Sequence, residues 1–358
     1  MKVVRGSRGQ PTTGSLTSIS IILIVSLILA SCSGVKQKED PIILNGLTMG
    51  TTYSIKVAGV KKSQYDPAAL QSGIDEVLKK VNQQMSMYIS DSEISRFNRS
   101  RTTGWFEISA GTALVLDAAL AVSRQSNGAF DITVGPLINL WGFGLKRQEE
   151  IPDETAIKEA LEKIGYRHLS VRLNPPAVKK ALPKLYCDLS AIAKGYGVDR
   201  VTKFLESKGI VRYMVEIGGE VRTRGKNPQN RWWRIGIVSP NRSFGLQKIV
   251  HLKDIAMATS GDYRNYFEKD GVRYSHTIDP RTGRPITHPL ASVTVIHPSC
   301  TMADALATAI DVLGPEKGYD LAIRHNLPAY FIIRRDNGFV DKMTPQFQKF
   351  LQNNDNMP

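Results

Sequence analysis

Apolar positions along the chain follow two rhythms, and the change falls near Tyr213. Before it, spacing of three and four residues dominates. Leu70, Ile74, Val77, Leu78, Val81 and Met85 follow Asp66-Pro67, which predicts a helix with proline in its first turn. Ser109 heads a second helix ending near Asn127-Gly128, and Asp153 to Ile164 reads as a third, closed by Gly165. Ile192, Val198, Val201, Phe204 and Leu205 predict a fourth, with Asp188 or Ser190 as its cap and Gly209 as its stop. Leu185 and Tyr186 before it read as a strand end. An early strand spans Gly46 to Val57.

From Tyr213 alternation takes over. Strands are predicted at Tyr213 to Glu216, Glu220 to Arg224, Trp233 to Val238, Lys248 to Leu252, Ile255 to Thr259, Arg273 to Ile278 and Ala291 to Ile296. Helices at Thr301 to Leu313 and near Lys317 to Arg324, then a strand at Ala329 to Arg334, complete the pattern. Short turns between strands imply antiparallel pairing, so the expected class is α+β, a largely antiparallel sheet with packed helices.

The chain's start has its own character. Lys2, Arg5 and Arg8 precede an uncharged run from Leu16 to Ser31, and Leu29-Ala-Ser-Cys32 resembles a bacterial lipobox. The expected organisation is a signal peptide at 1–31, a lipidated tether at 32–45 with the lipid on Cys32, one folded domain at 46–346 and a frayed Gln- and Asn-rich tail at 347–358. The net charge of +14 becomes +11 once the three basic leader residues are removed. Such a surface attracts anionic lipid, nucleotides or an acidic protein. Nucleic acid is not expected for an exported chain without a recognised binding motif. Cys187 and Cys300 are either a disulfide or two buried thiols.

Four stretches carry candidate chemistry. Gly195 and Gly197 lie in the first turns of the helix after Asp188, where each costs about 1 kcal/mol against alanine. Either they serve close packing, or the helix start, with Asp188 and Lys194, receives a phosphate or a metal–phosphate pair. Asp304 and Thr308 are four apart on one helix face. They are either two hard oxygen ligands suited to Mg²⁺, or a solvent-facing acid and a threonine bonded to its own helix. In Tyr274 to Gly283, His276 can accept a proton or be structural, Thr277 is expected on the opposite strand face from His276 and Ile278, and Asp279 forms a turn. Thr259-Ser-Gly-Asp-Tyr263 suits a phosphate or ribose, and Glu216-Ile-Gly-Gly-Glu220 is a hairpin turn or a place for a ligand ring.

These stretches together resemble the ApbE family, the FAD:protein FMN transferases. The resemblance rests on Met49-Gly-Thr, Met87-Tyr88, Phe130 to Leu137, Asp188 to Tyr196, Glu216 to Gly219, Thr259 to Tyr263, His276 to Pro280, Thr282-Gly-Arg-Pro285 and Ala303 to Thr308. It implies a T-fold-like α+β domain that binds FAD and Mg²⁺ and moves the FMN half of FAD onto a threonine or serine hydroxyl of another protein, releasing AMP. By the same resemblance Met49, Tyr88, Ala129, Phe130, Asp131, Asp188, Lys194 and Ile278 contact the flavin nucleotide. Ala191 (through its carbonyl), Asp304 and Thr308 hold the metal. Some relatives carry aspartate where this chain has Ala307, a coordination position that substrate phosphate or water can fill. His276 matches a histidine proposed as base; Asp262 or a metal-bound group is the alternative. The implied acceptors are redox subunits of the sodium-pumping Nqr or Rnf type; the leader and lipobox-like segment put the expected location on the periplasmic side of a membrane, the inner one in preference to the outer. Two rivals stand beside this reading: a metal-dependent FAD pyrophosphatase giving FMN and AMP, and a flavin-binding lipoprotein without turnover. Cys187 and Cys300 each lie four residues before an implied metal ligand, so a bridge beside the site is an arrangement to test.

Overall fold

Eight strands cross one sheet in the order in which they occur in the chain: β1 (Ile42–Thr48), β2 (Thr51–Val57), β3 (Tyr213–Ile217), β4 (Glu220–Arg224), β5 (Ala256–Gly261), β6 (Leu290–His297), β7 (Ala329–Arg335) and β8 (Gly338–Met343). Every neighbouring pair is antiparallel. The structure is a computed structural model that describes residues 40–144, 150–240, 245–262, 266–269, 271–336 and 338–352. Cys32 and the leader lie outside the described residues, as does Tyr263.

The long connection from β2 to β3 carries α1 (Pro67–Met85), α2 (Glu93–Arg99), α3 (Ala110–Gln125), α4 (Gly135–Leu140), α5 (Glu154–Leu161) and α6 (Ala193–Ser207), and α7 (Cys300–Arg324) links β6 to β7. Alternation along the strands separates two layers. Ile55, Val57, Val215 and Ile217 pack with Leu70, Ile74 and Leu78 of α1 and with Val198, Val201 and Leu205 of α6. Val293, Val295, Phe331 and Ile333 face the helical side with Leu306 and Ile310 of α7. Their neighbours Ile296, Tyr330 and Ile332 point the other way, onto a hairpin of Trp233–Val238 and Leu246–Leu252. The α+β class and the antiparallel sheet are as expected.

Several boundaries differ. The first strand starts at Ile42, inside the segment assigned to the tether, because Ile42 and Leu44 are buried against the helical layer when paired with β2. Phe347 and Phe350 are buried in a 3₁₀ segment (Pro345–Phe350), so the tail is packed at its start. No strand ends at Leu185-Tyr186. That segment is irregular and is held by Asn98, whose side chain pairs with Cys187 as a strand neighbour would: Nδ2 donates to the Cys187 carbonyl and Oδ1 accepts its N–H, both at 2.8 Å. Lys180 braces the same place, its ammonium donating to the carbonyls of Phe97 and Leu185 at 3.1 Å each. The two helices expected at 301–324 are continuous in α7 apart from a break at Gly314 before Pro315. Cys187 and Cys300 are both buried free thiols, so the bridge does not form.

Candidate active site

The start of α6 packs against the first turns of α7, where Gly195 has no side chain in the way. A Cβ on Gly195 would lie 2.3 Å from the Cys300 carbonyl oxygen and 2.8 Å from Asp304 Cβ. Close packing is therefore what this glycine serves. Gly197 likewise makes room for the Met49 side chain. Neither Asp188 nor Ser190 caps α6. Asp188 Oδ1 accepts the Ser190 N–H at 2.8 Å, and the orphan N–H of Gly195 goes instead to Asp304 Oδ2 at 2.9 Å. Asp199 of α6 returns the support: its carboxylate accepts the N–H groups of Cys300 and Thr301 at 3.1 and 3.0 Å, which caps α7 from the neighbouring helix.

This crossing forms part of the wall of a cavity of about 420 Å³. Ala129, Phe130, Asp131, Asp188, Ala191, Lys194, His276, Ile278, Asp304 and Thr308 all line it, so ten residues named from the sequence meet in one place. Met49 and Tyr88 line an adjoining cavity of about 760 Å³ that shares Ser190 and Lys194 with the first. Tyr88 is exposed.

Lys194 links the pieces. Its ammonium is 2.7 Å from Glu220 Oε1 and 4.0 Å from Asp304 Oδ1. Two buried carboxylates thus compete for one cation. Burial first, then the neighbouring Asp304, pushes the Glu220 carboxyl up to about 8. Burial also raises Asp304 above the usual carboxylate range, against the pull of Lys194. Lys194 is held above the ordinary lysine value by the two acids, which outweigh its burial. Asp304 is not the solvent-facing acid that its position on a helix allowed.

The donor set suits a hard cation. Among the described residues Asp304 Oδ1 meets only Lys194, at 4.0 Å, while Thr308 and Ala191 line the same cavity. Carboxylate, hydroxyl and carbonyl oxygens without sulfur or imidazole are the ligands of Mg²⁺. Among the described residues no group of three or more His, Cys, Asp or Glu could hold a metal alone, so phosphate and water would supply the remaining positions.

Other expectations fall differently. Asp262 does not line the cavity. Its carboxylate is engaged by Arg334, and its backbone carbonyl accepts from Arg273 at 2.6 Å, so it is a poor candidate for a base. Asp131 borders the cavity, but its oxygens accept from Thr133 N, Thr133 Oγ1 and Tyr166 N at 2.7–2.8 Å and hold the loop. The strand expected through Ile278 ends at Ser275. Beyond it the chain turns, so His276, Thr277 and Ile278 all line the cavity. Gly218 and Gly219, with φ of 60° and 106°, make the β3–β4 hairpin turn. Asp279 forms its turn, accepting from Arg281 N at 2.9 Å.

Two acids were overlooked. Glu220 begins a strand among Val and Arg, where nothing marks it as inward. Asp311 is fully buried on α7, inside Ala309-Ile-Asp-Val-Leu313; acids are mostly exposed, so its sequence position does not mark it as inward.

The sequence model of the ApbE family matches residues 49–331. A protein of Vibrio cholerae named FAD:protein FMN transferase is 44% identical over 333 residues, 92% of this chain and 98% of its own. The solved structure of the flavin transferase ApbE from Vibrio cholerae superposes with a TM-score of 0.81 at 44% identity, covering 87% of this chain and 99% of that one. The flavinyl transferase ApbE of Pseudomonas stutzeri, solved in its apo form, gives 0.81 at 40% identity over 87% and 97% of the two chains.

Proposed function

This chain belongs to the ApbE family and is an FAD:protein FMN transferase, and from that premise we propose that it moves FMN from FAD to a threonine or serine hydroxyl of its acceptor with the help of Mg²⁺, releasing AMP. The observation that carries the reading is the contact between the Asp188–Lys194 segment and the Asp304 helix, closed by the Gly195–Asp304 hydrogen bond of 2.9 Å. Asp304, Thr308 and the Ala191 carbonyl would hold the cation, which neutralises charge on a diphosphate and its leaving group. Lys194, fixed by Glu220, brings a cation to the same place and orients a phosphate oxygen. On this reading His276 takes the proton of the acceptor hydroxyl, and its position in the cavity wall supports that role.

The acceptor we propose is a redox subunit of the Nqr or Rnf type. The protein works from the periplasmic face of the inner membrane, anchored by lipid at Cys32; the lipobox-like Leu29-Ala-Ser-Cys32 after an apolar run supports this. Among the described residues no helix is long and apolar enough to cross a membrane.

Mass spectrometry of such an acceptor after incubation with the protein, FAD and Mg²⁺ tests the reading. The expected product gains one FMN less water, with AMP in equal amount. The Asp304→Ala variant should remain folded by circular dichroism and lose transfer by at least about 100-fold, as expected when charge stabilisation at a reacting phosphate is removed. An unmodified acceptor with FMN and AMP free in solution would make the protein a pyrophosphatase.

A further inference from the structure

One part of the cavity has a polarity that the diphosphate cannot use. Ser260, on β5, and Thr277, just beyond the 272–275 strand, line the cavity. Both hydroxyls donate to the same oxygen, Asp311 Oδ2, at 3.1 and 3.3 Å. A hydroxyl has one proton. With that proton directed to Asp311, each oxygen presents only lone pairs to whatever occupies the cavity. Phosphate has only acceptors to offer such a surface, whereas an alcohol O–H has a donor.

Asp311 itself is fully buried, and its second oxygen, Oδ1, has no hydrogen-bond partner among the described residues. Leaving a buried acceptor unsatisfied costs about 1–3 kcal/mol. Packing alone gives no reason to keep an acid there. Asp311 follows Asp304 by seven residues on the same helix, about 10 Å along its axis at 1.5 Å per residue. The cavity therefore has an end built for a cation with phosphate and another built for donors.

We propose that Ser260 and Thr277 form a subsite for the hydroxyl-bearing part of FAD, and that Asp311 is the positioning residue that turns their oxygens toward it as acceptors. This rests on the transferase reading above and assigns one end of the substrate within that site. The ribityl chain and the ribose share the required chemistry, and the two are separated by fragments: FMN carries only the first and ADP only the second.

The test is equilibrium binding of FAD, followed by quenching of flavin fluorescence with Mg²⁺ present. Thr277→Val and Asp311→Ala should each weaken binding by about 10-fold, the size expected for one or two lost hydrogen bonds. The double variant should be no weaker than the weaker single one, because Asp311 acts through the hydroxyl. Asp311→Asn keeps an acceptor oxygen for the hydroxyls and should restore most of the affinity. Competition with FMN and with ADP should show the Thr277→Val loss in one of the two fragments only. If Asp311→Ala does not fold, Thr277→Val and Ser260→Ala carry the test unaided. Unchanged FAD affinity in Thr277→Val and Ser260→Ala, additive losses in the double variant, or a loss with FAD that neither fragment reproduces would each overturn the proposal. A wild-type protein that fails to bind FAD at all would instead sink the transferase reading, and the subsite with it.

Discussion

Lys180 and Lys194 are both held by polar partners in the folded chain, and they are held in opposite ways. Lys180 is fully buried and meets neutral groups: the carbonyls of Phe97 and Leu185, and the Phe97 ring 4.7 Å from its ammonium. Its desolvation outweighs the attraction, so its affinity for a proton falls below that of ordinary lysine. Lys194 meets two carboxylates, and its affinity rises. A cation among carbonyls braces a loop and has no capacity left over. A cation facing two acids, one of which keeps its proton near neutral pH, marks a place short of positive charge, where a divalent ion and then a phosphate can be accommodated. Charge imbalance, more than burial, separates the site from the scaffold.

The strongest way to break that contrast is to exchange each lysine for methionine. Lys194→Met should reduce FMN transfer by about 100-fold, the size of a lost electrostatic contact to a reacting phosphate. A rate within threefold of wild type would mean that the ammonium is another structural brace. Lys180→Met should leave the rate per folded molecule within about threefold but lower stability by about 2–4 kcal/mol, since buried carbonyls lose their donor. Urea titration measures this, and an unchanged midpoint would remove the bracing role.

The smallest effect sharpens the comparison through pH. Glu220 binds its proton more tightly when folded, with a value near 8 against an ordinary 4.5. The folded state therefore holds more protons than the unfolded state between those values, and stability declines as pH rises through that window. Glu220→Gln should flatten the decline in metal-free protein, as read from melting temperatures between pH 5 and 8. Added Mg²⁺ should flatten it in wild type too, by replacing the missing positive charge.

Long elements with one strong period were legible in the sequence. The α1 stripe, the Ser109 cap and the β3–β4 hairpin stand where periodicity and turn residues put them. Strands without such contrast were missed. The hairpin of Leu169–Leu173 and Pro176–Lys180 mixes charges with proline, and β8 is an edge strand whose residues are mostly exposed, so neither shows one apolar face. That Asp304 and Thr308 meet at one cavity was legible because they share a helix face at short range. Glu220 and Asp311 were not, because their partners Lys194, Ser260 and Thr277 are tens of residues distant and only folding brings them near.

The bare crossing at Gly195 gives the protein a ruler. With no side chain on Gly195, the spacing between the start of α6 and the Cys300 carbonyl is a dimension of main chain against main chain, and the Gly195 N–H holds the Asp304 carboxylate directly at 2.9 Å. A methyl group at that position would act as a shim, and the two helices that wall the cavity would move apart.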